Sequence, residues 1–451
     1  MTLRVGIVGA GISGLSTQHF LEREAVRRGL RVQVETWDPR PSPGGNVRTE
    51  SRGGWRCEEA AESILNSRTE TRELAMELGL SNRIVQASPL AKKRFLVWRG
   101  KLRAMGPGSI FGSFPTWSAK LAALKEPFVA RGPEDESFAD FGRRRLGKGL
   151  FEQIMDPMVT GIYAANPELL SVRSAFPRIK GMEQEHGSLV RGLWNARKAR
   201  SRLPQERKAG SGSYSFRGGM TDLVEALAAS LGGSVFTDQP LVRLERLEHG
   251  WRLHGRDRMA DFDRVVLALP SHQLGDLDGL PGHCRKDLCA VPYNPVAVVG
   301  LGYRREHVGH PLDGFGFLVP RLEGRKILGT LFTSSLWTDA APEGHVLLRT
   351  MVGGGRSPEL ASLSENDLVA MVQGELAELV GARGEPVFAH VKRYAQGIPQ
   401  YPVGHHLVVD RLRQELTPLG LFLAGNAWDG IGVNDCVAAA ATRARTILEG
   451  A

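Results

Sequence analysis

The apolar positions open with a short unbroken run, Val5, Gly6, Ile7 and Val8, and from Leu15 they switch to helical spacing at Leu21, Ala25 and Val26. This predicts a buried strand and then a helix, with Gly9-x-Gly11-x-x-Gly14 between them and no spacer. Val32-Gln33-Val34 alternates as a second strand that ends at Pro39. Apolar residues over 57–80 (Ile64, Leu65, Leu74, Met76, Leu78, Leu80) predict a helix that stops at Leu78-Gly79-Leu80. Residues 94–98 alternate and turn at Arg99-Gly100 into Lys101-Leu102, a hairpin with Arg94 at its mouth.

From about 110 to 200 the apolar residues return at helical spacing (Leu121, Leu124, Phe128; Phe138, Phe141, Leu146; Leu150, Ile154, Met158) between Pro and Gly breaks. This is a helical insert, closed by a polar loop around 198–213. Leu223, Leu227 and Leu231 mark another helix, and strands are predicted over 241–247 and 251–253. The apolar run 265–269, stopped by Pro270, suits a sheet covered on both faces and returns the chain to the first unit. Residues 292–402 form a different unit, with short β runs at 296–303, 314–319, 327–331 and 346–352. A helix carrying Leu368, Val372, Leu376 and Leu379 follows them. Leu318, Leu331 and Met351 fall on separate strands and could line one pocket or belong to plain core. A buried strand at 420–424, a glycine-lined turn and a helix from Cys436 to about Leu448 end the pattern.

The glycines carry the first chemical reading. In Gly9-x-Gly11-x-x-Gly14 the first permits a tight turn, the second lets a pyrophosphate reach the backbone, and the third lets helix pack on strand. The phosphates then meet free N–H groups at the helix N-terminus. An acid at the end of the second strand should bind the ribose. Glu35 and Asp38 are the candidates, and Asp38, where the strand runs out, is preferred. Gly44-Gly45 with Arg48 suits a second backbone approach to the diphosphate, or else a surface turn. Near the C-terminus, Gly425-Asn426 through Gly432-Val433-Asn434 precede a fresh helix N-terminus. A nicotinamide cofactor needs only the first unit. A second contact from distant sequence argues for FAD.

Composition narrows the class. A chain of 451 residues exceeds one core, so two or three domains are expected. It is 42% hydrophobic and 24% charged, as a soluble protein is, and apolar stretches such as 296–301 fall far short of the ~20 residues of a spanning helix. Strand residues from Leu3 leave no room for a signal peptide, so a cytoplasmic location is expected. The net charge of +9 suits an anionic partner, but with 7% aromatics and no basic-aromatic interleaving nucleic acid is the weakest choice. The basic runs at Arg143-Arg144-Arg145 and 197–208 fit either solvated helices or helices lying on a membrane surface. Cys57, Cys284, Cys289 and Cys436 show no CxxC, and the twelve histidines no ligand spacing, so no metal is expected. Gly-x-Ser-x-Gly, His-Glu-x-x-His and a P-loop lysine are absent, which leaves hydrolase readings without support.

Several blocks together resemble the protoporphyrinogen oxidase family of FAD-dependent oxidases. They are the N-terminal fingerprint, Thr160-Gly161-Ile162-Tyr163-Ala164 with Leu170-Ser171 and Phe176-Pro177, residues 314–320, Ile398-Pro399-Gln400-Tyr401 with Gly404-His405, and Gly425-Asn426 to Asn434-Asp435-Cys436. The resemblance implies an α/β fold: a discontinuous FAD-binding Rossmann-type (GxGxxG) domain, a mixed-sheet substrate domain and a helical membrane-association insert. The expected division is FAD-binding at 1–85, 206–280 and 405–451, substrate-binding at 86–109 and 281–404, and the insert at 110–205. The implied reaction is six-electron oxidation of protoporphyrinogen IX, with hydride passing from a meso carbon to the flavin and dioxygen reoxidising it. Coproporphyrinogen III oxidation on the same fold is the nearest rival, and enzymes of that type tend to lack an arginine at the Arg94 position. A non-catalytic tetrapyrrole-binding flavoprotein is the rival of another class. The resemblance places a propionate on Arg94, apolar contacts on Leu318, Leu331 and Met351, and the Gly161 backbone against the macrocycle. It completes the cofactor set of Gly9, Gly11, Gly14, Asp38, Gly44, Gly45, Arg48, Gly425, Asn426, Gly432, Val433 and Asn434 with Ser13 and Val242. The expected location is cytoplasmic, peripheral on the inner face of the plasma membrane against an anionic surface, with a homodimer among the assemblies it admits. The chain departs from the family where Glu-x-Gly-Pro-Asn-Ser becomes Glu58-Glu59-Ala60-Ala61-Glu62-Ser63. A carboxylate at Glu62 facing a propionate would repel it. Ala165 also replaces a glycine, and Ser42 an arginine.

Overall fold

A computed structural model describes residues 2–106, 114–202, 212–275 and 277–449. Its first sheet is parallel throughout, in the order Val235–Phe236, Val32–Trp37, Leu3–Val8, Arg264–Leu267, Leu421–Leu423. Three distant stretches of chain therefore build one sheet. Alternate side chains feed two cores. Val5, Ile7 and Val266 join the helices Ile12–Arg28 and Val433–Leu448 through Leu15, Leu21, Val437 and Ala440. Val8, Val265 and Leu267 join Trp37, Trp251 and Leu253 on the other face. That face is closed by a small antiparallel sheet (Arg243–Arg246, Trp251–His254, Met259–Phe262) and by the helix His405–Leu416. Burying one such aliphatic side chain contributes roughly 1.5–3 kcal/mol, so a strand covered on both faces is strongly held.

The second sheet has seven strands, in the order Phe388–Pro399, Tyr293–Arg304, His345–Gly353, Ile327–Phe332, Gly316–Leu318, Arg94–Trp98, Lys101–Met105. All its pairings are antiparallel except that of Gly316–Leu318 with Arg94–Trp98, so the sheet is mixed. The helix Glu365–Val380 covers one face, with Leu368, Val372 and Leu376 packed on Phe95, Val97, Val299, Phe317 and Val352. Ser364 starts this helix by accepting a hydrogen bond from the Asp367 N–H (3.2 Å), and Gly381 ends it in the left-handed region (φ 66°).

Between the two sheets in sequence lie short helices from Trp117–Ala123 to Leu189–Arg202. They have their own apolar core (Phe138, Phe141, Phe151, Val159, Leu170) and a buried ionic one. Arg145 is fully buried between Glu126 (3.2 Å) and Glu183 (2.7 Å), and Lys180 reaches Glu183 (2.6 Å) and Glu136 (3.0 Å). The run Arg143-Arg144-Arg145 is thus paired throughout, with Arg143 on Glu168 and Arg144 on Glu136 and Glu183. Arg145 is buried, while Arg143 and Arg144 keep 36% and 26% of their side chains exposed.

Three elements differ from the pattern. Residues 57–80 are not one helix, which occupies only Glu70–Glu77. Trp55–Glu58 and Ile64–Leu65 are strands, because Ile64 pairs with Tyr214 and the carboxylates of 58–62 turn inward. The long edge strand Phe388–Pro399 and the helix His405–Leu416 lack predicted counterparts. Most of the predicted polar loop, 203–211, lies outside the described residues, as does part of the hairpin's continuation at 107–113.

Candidate functional site

The strand Leu3–Val8 ends at a turn that only glycine can make. Gly9 has φ 110°, and a Cβ there would stand 2.6 Å from the Ala268 carbonyl oxygen. A Cβ on Gly14 would overlap the Gly9 carbonyl oxygen, so helix and strand approach too closely for any side chain. At Gly11 a Cβ would meet nothing nearer than Gly45 Cα (3.9 Å), which leaves that backbone open. The helix begins at Ile12 with no side-chain cap and no acid in its first turn, where Ser13 sits, so its N–H groups remain available to an anion. The 44–45 turn closes on the same place, with Gly44 N–H donating to Ala10 O (2.7 Å). Arg48 braces that turn by donating to Ser42 Oγ (2.8 Å) and Gly45 O (3.1 Å).

The two candidate acids separate. Glu35 faces away and takes Arg258 (3.0 Å) and the Trp37 indole N–H (3.2 Å). Asp38 stays at the sheet's carboxyl end, where it accepts from Ala10 N–H (2.6 Å) and Arg40 N–H (2.8 Å). The Gln239 N–H donates to the Asp38 carbonyl, and three residues further on Val242 stands exposed.

The C-terminal turn meets this region through the Ile12–Arg28 helix. Gly425 (φ 120°) donates its N–H to Asp429 (3.0 Å), and Asp429 is buried against Arg443 (2.6 Å). Arg443 also donates to Leu423 O (2.8 Å) and Thr17 Oγ1 (3.2 Å), which ties the turn to both helices. The Asn426 carbonyl accepts from the Tyr401 hydroxyl. The His405 ring donates from Nε2 to Ala427 O (2.9 Å), and burial lowers its pKa to about 4, so it is neutral at pH 7. The helix starts at Val433 behind Gly432 with no side-chain cap. Asn434 donates to Leu65 O (2.8 Å), while its buried Oδ1 has no partner among the described residues. Two uncapped helix N-termini, an open Gly11 backbone and an orphaned amide oxygen fit an anionic cofactor with a long polar skeleton.

On the mixed sheet, register decides which side chains share the uncovered face. Leu318 and Met351 both lie opposite Gly329, and Leu331 is two residues along from Gly329. Leu96 lies beside Leu318 across the parallel pairing, which puts Arg94 on the same face two residues earlier. Directly opposed residues point to one side of a sheet, so Arg94, Leu318, Leu331 and Met351 converge. The three apolar residues are only half-buried. Gly161, on the helix Asp156–Tyr163, closes over Leu318, whose Cδ2 a Cβ at 161 would overlap. Arg94 is exposed, 5.3 Å above the Phe315 ring, and forms no ion pair among the described residues.

The same face continues to Lys392 and Tyr394, opposite Val298 and Val296. A cleft of about 700 Å³ runs from there to the glycine turn and is bounded by Gly45, Arg48, Thr49, Glu59, Lys392 and Tyr394. Behind its wall lie carboxylates that their spacing in sequence did not reveal. Glu58 accepts from Met220 N–H (3.0 Å) and Thr49 (2.8 Å), and burial followed by the nearby Glu62 charge pushes its pKa up to about 8. Glu59 reaches Lys392 (2.9 Å). Glu62 does not present a bare charge to a substrate. It accepts from the Trp337 indole (2.9 Å) and lies 3.6 Å from Arg349, so the expected repulsion is largely neutralised at its source. Arg349 in turn donates to Glu58 O (2.7 Å) and Ala60 O (2.6 Å), which fixes the altered loop without a Gly-Pro turn. Away from the cleft, His283, Cys284 and Glu415 bring donor atoms within 4.8 Å of one another. Burial raises the Cys284 thiol to about 12, which opposes thiolate ligation.

The model of the flavin containing amine oxidoreductase family matches residues 12–448. A chloroplastic protoporphyrinogen oxidase of Oryza sativa subsp. japonica is 32% identical over 98% of this chain and 88% of its own. A coproporphyrinogen III oxidase of Bacillus subtilis (strain 168) is 28% identical over 96% and 95%. The crystal structure of a candidate protoporphyrinogen oxidase from Exiguobacterium sp. 255-15 superposes with a TM-score of 0.84 at 26% identity, covering 99% of each chain.

Proposed function

Because the chain belongs to the flavin-containing amine oxidoreductases, and within them to the protoporphyrinogen oxidase family, we propose that it oxidises protoporphyrinogen IX to protoporphyrin IX with dioxygen as acceptor. The reading is carried by the face of the mixed sheet opposite the helix Glu365–Val380, an apolar row ending in an arginine with no ion pair among the described residues. A tetrapyrrole is greasy across its rings and anionic at its propionates. Leu318, Leu331 and Met351 would take the rings, Gly161 would let the macrocycle pass close to a helix backbone, and Arg94 would fork onto a propionate. FAD supplies the two-electron acceptor and is renewed by dioxygen. The chain's part is to hold its diphosphate at Gly9, Gly11, Ser13 and Gly14 and at the braced Gly44-Gly45-Arg48 turn. Asp38 and Val242 would take the adenosine end, and Gly425, Asn426, Gly432, Val433 and Asn434 the far end.

The test is an aerobic assay of the flavin-loaded protein with protoporphyrinogen IX and coproporphyrinogen III side by side, read as porphyrin fluorescence. Appearance of protoporphyrin well above autoxidation is expected, with peroxide formed alongside. No rise overturns the reading, and a clear preference for coproporphyrinogen moves the chain to the second reading, which the Bacillus subtilis relative favours.

Membrane contact is proposed from a different feature than the basic run. No helix among the described residues is long and apolar enough to cross a membrane. Leu124, Phe128, Leu193 and Trp194 are each more than half exposed, however. Glu126 ties their segments together by accepting from Leu189 N–H (2.7 Å) and Ser188 (2.6 Å). An exposed apolar ridge of this kind suits the headgroup boundary of an inner, anionic leaflet. Cosedimentation with anionic vesicles should be lost in Phe128→Asp/Trp194→Asp. Unchanged cosedimentation sinks the idea.

A further inference from the structure

Arg356 lies beside the Gly161–Leu318 contact, on the far side of Leu318 from the level of Arg94, and nothing in the proposed chemistry uses it. The turn Gly353-Gly354, left-handed at both residues (φ 93° and 68°), carries it back against the helix Asp156–Tyr163. Its side chain is only 8% exposed. One nitrogen, Nη2, makes every hydrogen bond it has, to Val319 O (2.8 Å) and more weakly to Thr160 Oγ1 (3.4 Å). Nε and Nη1 are buried with no acceptor among the described residues. Asp156 lies 3.6 Å away, beyond hydrogen-bond reach, and its own oxygen accepts from the Arg321 N–H (3.3 Å). The Arg321 guanidinium adds a second positive charge nearby, and that charge, after burial and against Asp156, pulls the Arg356 pKa down. Asp156 is thus hydrogen-bonded to the Arg321 backbone and leaves the Arg356 guanidinium without a hydrogen-bonded carboxylate. A buried cation with open donors is costly, and proteins keep such groups where a ligand completes them.

The place of this surplus is informative. Thr160 precedes Gly161 and Val319 follows Leu318, so the guanidinium is bonded one residue from each side of the close Gly161–Leu318 contact. Arg94 lies level with Gly316 on the neighbouring parallel strand. Three residues of strand, about 10 Å at the usual rise, separate the two levels.

On the reading that the slot takes a porphyrinogen, we propose that Arg356 is a second carboxylate-binding residue, serving the macrocycle edge that Arg94 does not reach. Protoporphyrin carries its two propionates on adjacent rings and needs one such anchor. Coproporphyrin III carries one propionate on each ring and engages both. Arg356 therefore admits a tetracarboxylate to a slot whose other end suits a dicarboxylate.

The experiment measures binding of coproporphyrin III, its tetramethyl ester and protoporphyrin IX to flavin-loaded wild type, Arg356→Gln and Asp156→Asn, by fluorescence quenching. Arg356→Gln should weaken coproporphyrin III roughly ten-fold, one charge-assisted hydrogen bond's worth, and leave the ester and protoporphyrin within about two-fold. Asp156→Asn, which frees the guanidinium, should bind coproporphyrin III at least as tightly as wild type. Equal loss for all three ligands, or loss in Asp156→Asn to match Arg356→Gln, makes the pair structural and overturns the inference alone. If wild type binds none of the porphyrins, the porphyrinogen reading falls and takes this inference with it.

Discussion

Glu58→Gln should stabilise this protein in alkaline solution and leave it nearly unchanged in acid. Glu58 is buried behind the Thr49 and Thr221 wall of the cleft, and its carboxyl titrates near 8 against an ordinary 4.5. Burial comes first among the causes and the Glu62 charge second, and the closest cation, Arg56, lies 4.0 Å off with its better contact spent on Asp339 (2.6 Å). The folded state therefore holds a proton that the unfolded chain releases. For an acid raised in this way, stability is complete below pH 4.5, falls as pH rises toward 8, and is flat above. At ~1.4 kcal/mol per pKa unit the full loss is about 5 kcal/mol, and 3–5 is a fair range. A glutamine reproduces the protonated pattern, with oxygen toward Met220 N–H and nitrogen toward Thr49, without the titration. Urea unfolding of both proteins at pH 5, 7 and 8.5 should show coincident midpoints at pH 5 and a gap that widens with pH in favour of Glu58→Gln. A variant destabilised equally at every pH would refute the argument, since it would mean that the carboxylate is ionised and its hydrogen bonds are worth more than its desolvation.

Three further outcomes follow from the same geometry. Gly14→Ala should abolish flavin retention, read from the visible spectrum of the purified protein, because its Cβ overlaps the Gly9 carbonyl oxygen that shapes the phosphate turn. Arg443→Met removes the buried partner of Asp429, 1% exposed, and leaves it the half-exposed Arg413 (3.2 Å) alone. A loss of about 1–3 kcal/mol in thermal or urea unfolding is expected, with weaker flavin binding, and Asp429→Asn made together with it should recover part of the loss. Gly161→Val should raise KM for the porphyrinogen by displacing Leu318, while flavin content stays at the wild-type level.

The strand–glycine–helix unit was legible because its requirements are local: three glycines, an apolar run and a helix start, all within a dozen residues. The C-terminal turn was legible for the same reason. The uncovered face of the mixed sheet was only half so. Leu318, Leu331 and Met351 could be placed on strands, but their sharing a face depends on register, which includes an irregularity between Ile327 and Gly329 that no local pattern announces. Residues 388–399 escaped notice because the strand is an edge with polar Lys392, Arg393 and Gln396, so neither face reads as core. The pairing of Glu62 and of Arg145 was not legible, because their counterions lie in distant stretches, Arg349 for Glu62 and Glu183 for Arg145. Arg356 had no local mark at all, since its meaning lies in the acceptors it lacks.

The mixed sheet divides its labour by parity. Phe317, Thr330 and Thr350 point under the covering helix, where the two threonine hydroxyls bond each other (2.9 Å), while their chain neighbours Leu318, Leu331 and Met351 point into the slot. Odd and even positions of the same strands therefore answer to different selective pressures. A lineage, or an engineer, can reshape the ligand-facing set as a block and leave foldability to the alternate set. A saturation library over 316–318, 327–332 and 345–353, sorted separately for soluble expression and for turnover, should separate into two interleaved combs of intolerant sites.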